Sequence, residues 1–204
     1  MSAAPKTVLE ASHDEAAAIR EAVRTVDVST LGPGRQRAEL KHVHGLVALL
    51  ADPAVSGPIC DLPSPITEAS VTRWVAENQA QALAGEALLI VTLDEAGAVA
   101  GYSRIALWPE RSSAELAGAM RPGLQGEGRG GAGMAHTLGW IFETLGVRLM
   151  CLTAAPDNVR SQKAIDAAGF RRMGEREARR ADGATRRSAY WEMTRDEWRQ
   201  RHRL

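Results

Sequence analysis

Two short stretches hold residues whose types and spacing could do chemistry. The first, "LQGEGRGGAG" at positions 124–133, places five glycines in ten residues, just ahead of the helix-like stretch "MAHTLGWIFETLG". Glycine costs about 1 kcal/mol against alanine inside a helix and loses the most backbone entropy on ordering, so such a run needs a reason. Bare backbone N–H groups at a helix start, backed by the positive end of the helix dipole, make a site for phosphate. A Cβ there would hold a bulky anion away from the main chain. The second stretch, "NVRSQKAIDAAGF", runs from Asn158 to Phe170 and sets Ser161 and Lys163 in the first turns of a helix. A serine hydroxyl in that place could relay a proton. Serine near a helix start also commonly caps or satisfies backbone, and the two readings stand side by side.

Three kinds of phosphate loop have to be separated. A P-loop needs GK[ST], but Gly128 is followed by Arg129 and Gly130. The dinucleotide fingerprint GxGxxG matches at Gly126-Gly128-Gly131 and again at Gly128-Gly130-Gly133, with Asp157 at a tolerable distance for a ribose. In that fold the strand enters the first glycine almost directly, whereas here "RPGLQ" intervenes after Met120 and Pro122 ends the ladder early. The third pattern is Q/R-x-x-G-x-G/A, which Gln125, Gly128 and Gly130 fit position for position.

On this hexapeptide the chain resembles the GNAT superfamily of acetyl-CoA-dependent N-acetyltransferases. The resemblance is strengthened by Asn158, a helix, and Gly169-Phe170 at the spacing that superfamily carries after its fifth strand. It covers roughly residues 39–194. "YWEMTRDEW", the helix pair before the meander and Ser161 three residues after Asn158 look most like the branch of ribosomal-protein alanine N-acetyltransferases. The resemblance implies acetyl-CoA as cosubstrate, with its pyrophosphate on amides of Gln125, Gly126, Glu127, Gly128, Arg129, Gly130 and Gly131. It further implies a pantetheine arm against the backbone of Ala119, Met120 and Arg121, with a hydrogen bond from Asn158. Arg129 and Lys163 could reach the 3′-phosphate, or could be solvated surface cations.

For the chemistry, many GNAT proteins use a tyrosine seven residues after the motif Asn; here that place is Ile165. The alanine-acetyltransferase branch instead points to Ser161 as proton donor. Glu115, on a strand flanking the substrate, is the candidate base acting through water; an exposed strand glutamate is the alternative. The fifth-strand carboxylate of other members is replaced by Cys151 and Thr153. A backbone N–H near Met120 would meet the oxyanion. The acceptor would be a primary amine, on a small molecule or a protein N-terminus. The competing reading is a non-catalytic acyl-CoA-binding regulatory module.

The elements that must position these residues follow from periodicity. "SHDEAAAIREAVRTV" reads as a helix with Ser12 as N-cap and Glu15 closing a capping box. "HGLVALLADP" is helical up to Pro53, "SGPICDLPSP" is an extended loop, and a helix runs from Thr67 to a cap at Gly85. "ALLIVTL", "AVAGYSRIALW" and "SAELAGAM" form a meander; "VRLMCLTA", "FRRMGEREARR" and "TRRSAYWEMT" are further strands, and "RDEWRQRHRL" a helical tail. The expected fold is α/β (α+β): a GNAT-like three-layer fold. Its mixed, mostly antiparallel sheet is splayed between its fourth and fifth strands, with helices on both faces. Residues 1–38 are expected as a helical N-terminal extension and 39–204 as the acetyltransferase domain.

Bulk properties set the bounds. The 204 residues carry 25 Lys plus Arg against 25 Asp plus Glu, so no net charge draws the chain to nucleic acid or an anionic membrane. Seven arginines between Arg171 and Arg187 form a solvated hairpin face or a dock for an acidic partner or ribosomal RNA. Cys60 and Cys151 make neither a disulfide framework nor a metal pattern, and with no leader-like start the expectation is a cytoplasmic protein. His42 and His44 alone make a poor metal site, so no metal is expected. Monomer and homodimer are both open.

Overall fold

The central strands form where β-branched or alternating apolar residues let one or both faces be buried. The computed structural model describes residues 4–124, 129–179 and 183–202. Its strands are β1 Arg35–Arg37, β2 Ala87–Leu93, β3 Val99–Trp108, β4 Ser113–Met120, β5 Leu149–Ala154, β6 Arg171–Arg179 and β7 Thr185–Thr194. They make one sheet of order β1-β2-β3-β4-β5-β7-β6. Every pairing is antiparallel except β4–β5, which is parallel and joins only Ser113–Glu115 to Leu149–Cys151. Both strands run on past that ladder, β4 to Met120 and β5 to Ala154. The sequence reading did not foresee β1: three polar residues, Arg-Gln-Arg, carry no strand signal, and pairing with β2 supplies it.

The helices are α1 His13–Thr25, α2 Val43–Leu50, α3 Pro53–Ser56, α4 Glu68–Ala84, α5 Arg129–Thr144, α6 Val159–Ala167 and α7 Arg195–His202. α2 and α4 cover one face of the sheet, where Leu46, Val71 and Val75 pack on Val91 and Tyr102. α1, α5, α6 and α7 contribute Ile19, Phe142, Ile165 and Trp198 to the core on the other face, beneath Met150 and Trp191. The three layers are therefore those expected.

Several helix ends depart from the local reading for identifiable reasons. Ser12 accepts the Glu15 N–H at 3.1 Å, but the Glu15 carboxylate completes no capping box; it takes the Arg148 guanidinium at 2.7 Å. Pro53 does not end α2 but opens α3, after Asp52 accepts the Ala54 N–H at 2.8 Å. α5 begins at Arg129, so Gly130, Gly131 and Gly133 lie within its first turns, not in a loop ahead of Met134. α4 starts at Thr67 as expected, with Thr67 as its N-cap and Ser70 returning the capping bond, and Gly85 closes that helix at φ 78°.

Gly85 is held by conformation and by space. A Cβ there would meet the Arg20 Cβ at 2.6 Å, and positive φ disfavours any L side chain. Gly85→Ala is expected to cost about 2 kcal/mol and lower the melting temperature by about 4–8 °C, read by calorimetry.

Candidate functional site

Cross-strand register decides which side chains share a face. Ala87, Ala106, Glu115, Cys151 and Glu192 stand in one row across β2, β3, β4, β5 and β7. Thr153 and Tyr190 pair beside it on the same face, because side chains two residues apart point the same way. Glu115 occupies the last paired position of the parallel ladder, at the apex from which β4 and β5 run on without pairing to each other. It is buried, and its Oε1 accepts the Thr153 hydroxyl at 3.4 Å.

Backbone direction also follows from register. The Arg121 N–H donates to the Ala100 carbonyl at 2.8 Å, so Arg121 and, by alternation, Ala119 direct their main-chain groups at β3. Gly118 and Met120 direct theirs to the opposite side, toward β5. The Arg121 side chain turns to Asp94 at 2.6 Å in the β2–β3 hairpin. Gly118 lacks a Cβ for a reason of its own, since one would lie 2.4 Å from the Tyr102 carbonyl.

The turn after β5 is built by α6. Asn158 caps that helix, its Oδ1 accepting the Ser161 N–H at 3.1 Å. The Gln162 amide donates to the carbonyls of Ala155 at 3.2 Å and Pro156 at 2.8 Å and fixes the turn. Lys163 is exposed, and Ile165 is buried in the core. Of the remaining expected residues, Gln125, Gly126, Glu127 and Gly128 lie outside the described residues. The backbones of Arg129, Gly130 and Gly131 open α5.

Four residues of this face went unnoticed in the sequence. Glu192 is fully buried; its Oε1 accepts the Thr7 N–H at 3.0 Å and the Tyr190 hydroxyl at 2.5 Å, and the Thr7 hydroxyl donates to Oε2. The Lys6 N–H donates to the Tyr190 oxygen at 3.1 Å. The available signal was Glu192 in "YWEMT", a charge at an otherwise buried strand position; the partner Thr7 lies 185 residues away. Burial alone would raise the Glu192 carboxyl, but donors from Thr7, Tyr190 and Lys6 outweigh it and hold the group below the usual carboxylate value. Burial, followed by the charge of Glu115, pushes the Cys151 thiol well up, and burial likewise raises Tyr190, so both keep their protons. Among the described residues no group of three or more His, Cys, Asp or Glu could hold a metal ion. His42 uses Nδ1 to accept the Glu39 N–H at 3.0 Å.

This mixed sheet, with its single short parallel ladder and helices on both faces, has the fold of known acetyltransferases. A ribosomal-protein-S5-alanine acetyltransferase from Vibrio fischeri superposes with TM-score 0.66 at 14% identity, covering 80% of this chain and 93% of that one. Mycobacterium smegmatis RimJ, in complex with CoA-disulfide, gives TM-score 0.67 at 19% identity over 80% and 82%. RimL, a ribosomal L7/L12 alpha-N-protein acetyltransferase in complex with coenzyme A, gives 0.67 at 15% over 82% and 97%. No curated protein matches the sequence. Residues 36–171 match the acetyltransferase (GNAT) domain, and the chain belongs to that family of N-acetyltransferases. Acyl transfer is thus its chemistry.

The buried carboxylate makes a pH-dependent prediction. Ionised Glu192 contributes stability that is complete above about pH 4.3 and is lost as pH falls through its lowered folded value. Glu192→Gln is expected to cost about 2 kcal/mol or more at pH 7, with the gap to the parent protein narrowing by pH 3 in urea titrations.

Proposed function

We propose that the protein transfers an acetyl group from acetyl-CoA directly to a primary amine. The observation that carries this reading is Glu115, a buried carboxylate at the apex where the β4–β5 ladder ends. Acetyl-CoA supplies the acyl group as a reactive thioester. The chain fits it: past the apex, Gly118 and Met120 turn main-chain groups toward the opening, so an arm lying there would run along their side of β4 rather than that of Ala119 and Arg121. The backbone amides at the start of α5 are suited to a pyrophosphate.

Three tasks fall to the protein. Glu115 takes the proton from the incoming amine, directly or through one water. The main-chain N–H groups facing the opening stabilise negative charge on the carbonyl oxygen as it develops. Ser161, anchored by the Asn158 cap, presents its hydroxyl from the first turn of α6 to protonate the departing sulfur. Ile165 stands where many relatives place a tyrosine, which leaves Ser161 as the donor.

The acceptor favoured by this arrangement is an α-amine, on a small molecule or a protein N-terminus. With a pKa near 7.8, roughly a tenth of such amines are neutral at pH 7, against on the order of one in a few thousand for lysine. Structural likeness to RimJ and RimL supports the N-terminal alternative. Two unpaired cysteines support a cytoplasmic setting, and among the described residues no helix is long and apolar enough to cross a membrane. Residues 39–204 are taken as the acetyltransferase domain.

Acetyl-CoA at 100 times its dissociation constant is expected to add about 2.7 kcal/mol and raise the melting temperature by about 5–10 °C, while NAD does not. In a thiol-release assay with an α-amine, Glu115→Gln is expected to lower kcat about a hundredfold and Ser161→Ala about tenfold. Tight binding without thiol release from any amine would make the chain an acyl-CoA-binding module instead.

A further inference from the structure

A segment far from the glycine loop in sequence lies on the same sheet face as Glu115. Residues Ala4–Thr7 cross β7 and β6 as a strap. Thr7 gives its N–H and hydroxyl to Glu192, the Lys6 N–H meets the Tyr190 oxygen, and the Lys6 ammonium donates to the carbonyls of Met173 at 2.8 Å and Glu175 at 3.0 Å. Arg176 donates to the Ala4 carbonyl at 2.5 Å and Arg111 to that of Pro5 at 3.3 Å, and Pro5 is buried. Ordering each residue of such a strap costs about 1–2 kcal/mol of backbone entropy, so a segment held at every residue has its place specified.

That place is close to the apex. Glu192 lies two strands from Glu115 in the same row, about 10 Å away at the usual strand spacing. On the other flank, α2, α4 and the loop carrying Asp61 stand over β3, with Asp61 on Arg104 at 3.5 Å. Between the two flanks β4 presents Ala117 and Ala119 on this face, two of the smallest side chains. The space between these flanks, floored by small residues of β4 and by Cys151 and Thr153 of β5, is the slot an acceptor would enter.

We propose that the strap is a working wall of the acceptor site. It holds Tyr190 and Glu192 beside the apex and closes the β7 end of the slot, so that the protein selects primary amines with little or no bulk on the carbon next to nitrogen. This rests on the acetyl-transfer reading and adds which amines enter. A wall of this kind screens by shape: a broad substituent meets Thr7 and the buried Glu192 behind it, and displacing the strap would strip a buried carboxylate of its donors.

The test compares glycine amide with phenylalanine amide, two α-amines that differ in bulk at that carbon. Three full-length or near-full-length proteins are used: the parent, a deletion of residues 2–7, and the double variant Pro5→Gly with Thr7→Ala, which keeps the chain but loosens the strap. Acetyl-CoA binding is read by calorimetry and kcat/KM by thiol release. Both variants are expected to bind acetyl-CoA within about twofold of the parent. The ratio of kcat/KM for phenylalanine amide over glycine amide is expected to rise tenfold or more. An unchanged ratio in a folded double variant that still binds acetyl-CoA overturns the strap's role alone. A parent protein that binds acetyl-CoA yet releases no thiol with either amide overturns the acetyl-transfer reading, and this proposal with it.

Discussion

The parallel ladder between β4 and β5 is only three residue pairs long, and the remainder of the structure is arranged around its brevity. A parallel pair cannot be closed by a tight turn; it requires a crossover, here α5, which packs Leu138, Ile141 and Phe142 into the core beneath the sheet. Because pairing stops at Glu115 while both strands continue, the far half of β4 pairs with β3 and that of β5 with β7. Past the ladder, Gly118 and Met120 turn main-chain groups to the β5 side of β4, a direction that a continuous sheet would use for its own pairing.

The same sheet buries acidic groups at considerable cost, and it manages this by register. Glu115 and Glu192 flank Cys151 in one row, and each carboxylate lies beneath the surface. An unpaired buried carboxylate would sooner take up a proton than remain charged. Donors from Thr7, Tyr190 and Lys6 reverse that tendency. The N-terminal strap is therefore tied to the interior of the sheet, and α1, which follows it, contributes Ile19 and Val23 to the main core.

Much of the local architecture was legible without coordinates. Caps at Ser12, Thr67, Asn158 and Gly85 are local events: a side-chain oxygen reaches an N–H two or three residues on, or a glycine takes positive φ. The strand pattern of "ALLIVTL" or "AVAGYSRIALW" likewise depends on neighbours two residues apart. Where local signals compete, the reading slipped. Glu15 could serve its own helix cap or Arg148, and the residue 133 positions away won. "RQR" carried no strand propensity, yet β2 needed an edge partner. Glycines at 130, 131 and 133 read as loop, but tertiary packing of the amphipathic helix extended it back to Arg129.

The sequence by itself determined the elements, their order, the glycine-rich approach to α5 and the Asn-to-Gly-Phe spacing around α6, because each is written in residues close together in the chain. Only the tertiary structure decided that Glu115 sits at the apex of the opening, that Gly118 and Met120 rather than Ala119 and Arg121 turn their backbone toward it, and that Thr7 completes Glu192. Those outcomes are set by strand register and by contacts between residues as much as 185 positions apart, where a shift of one residue would reverse which groups face the gap.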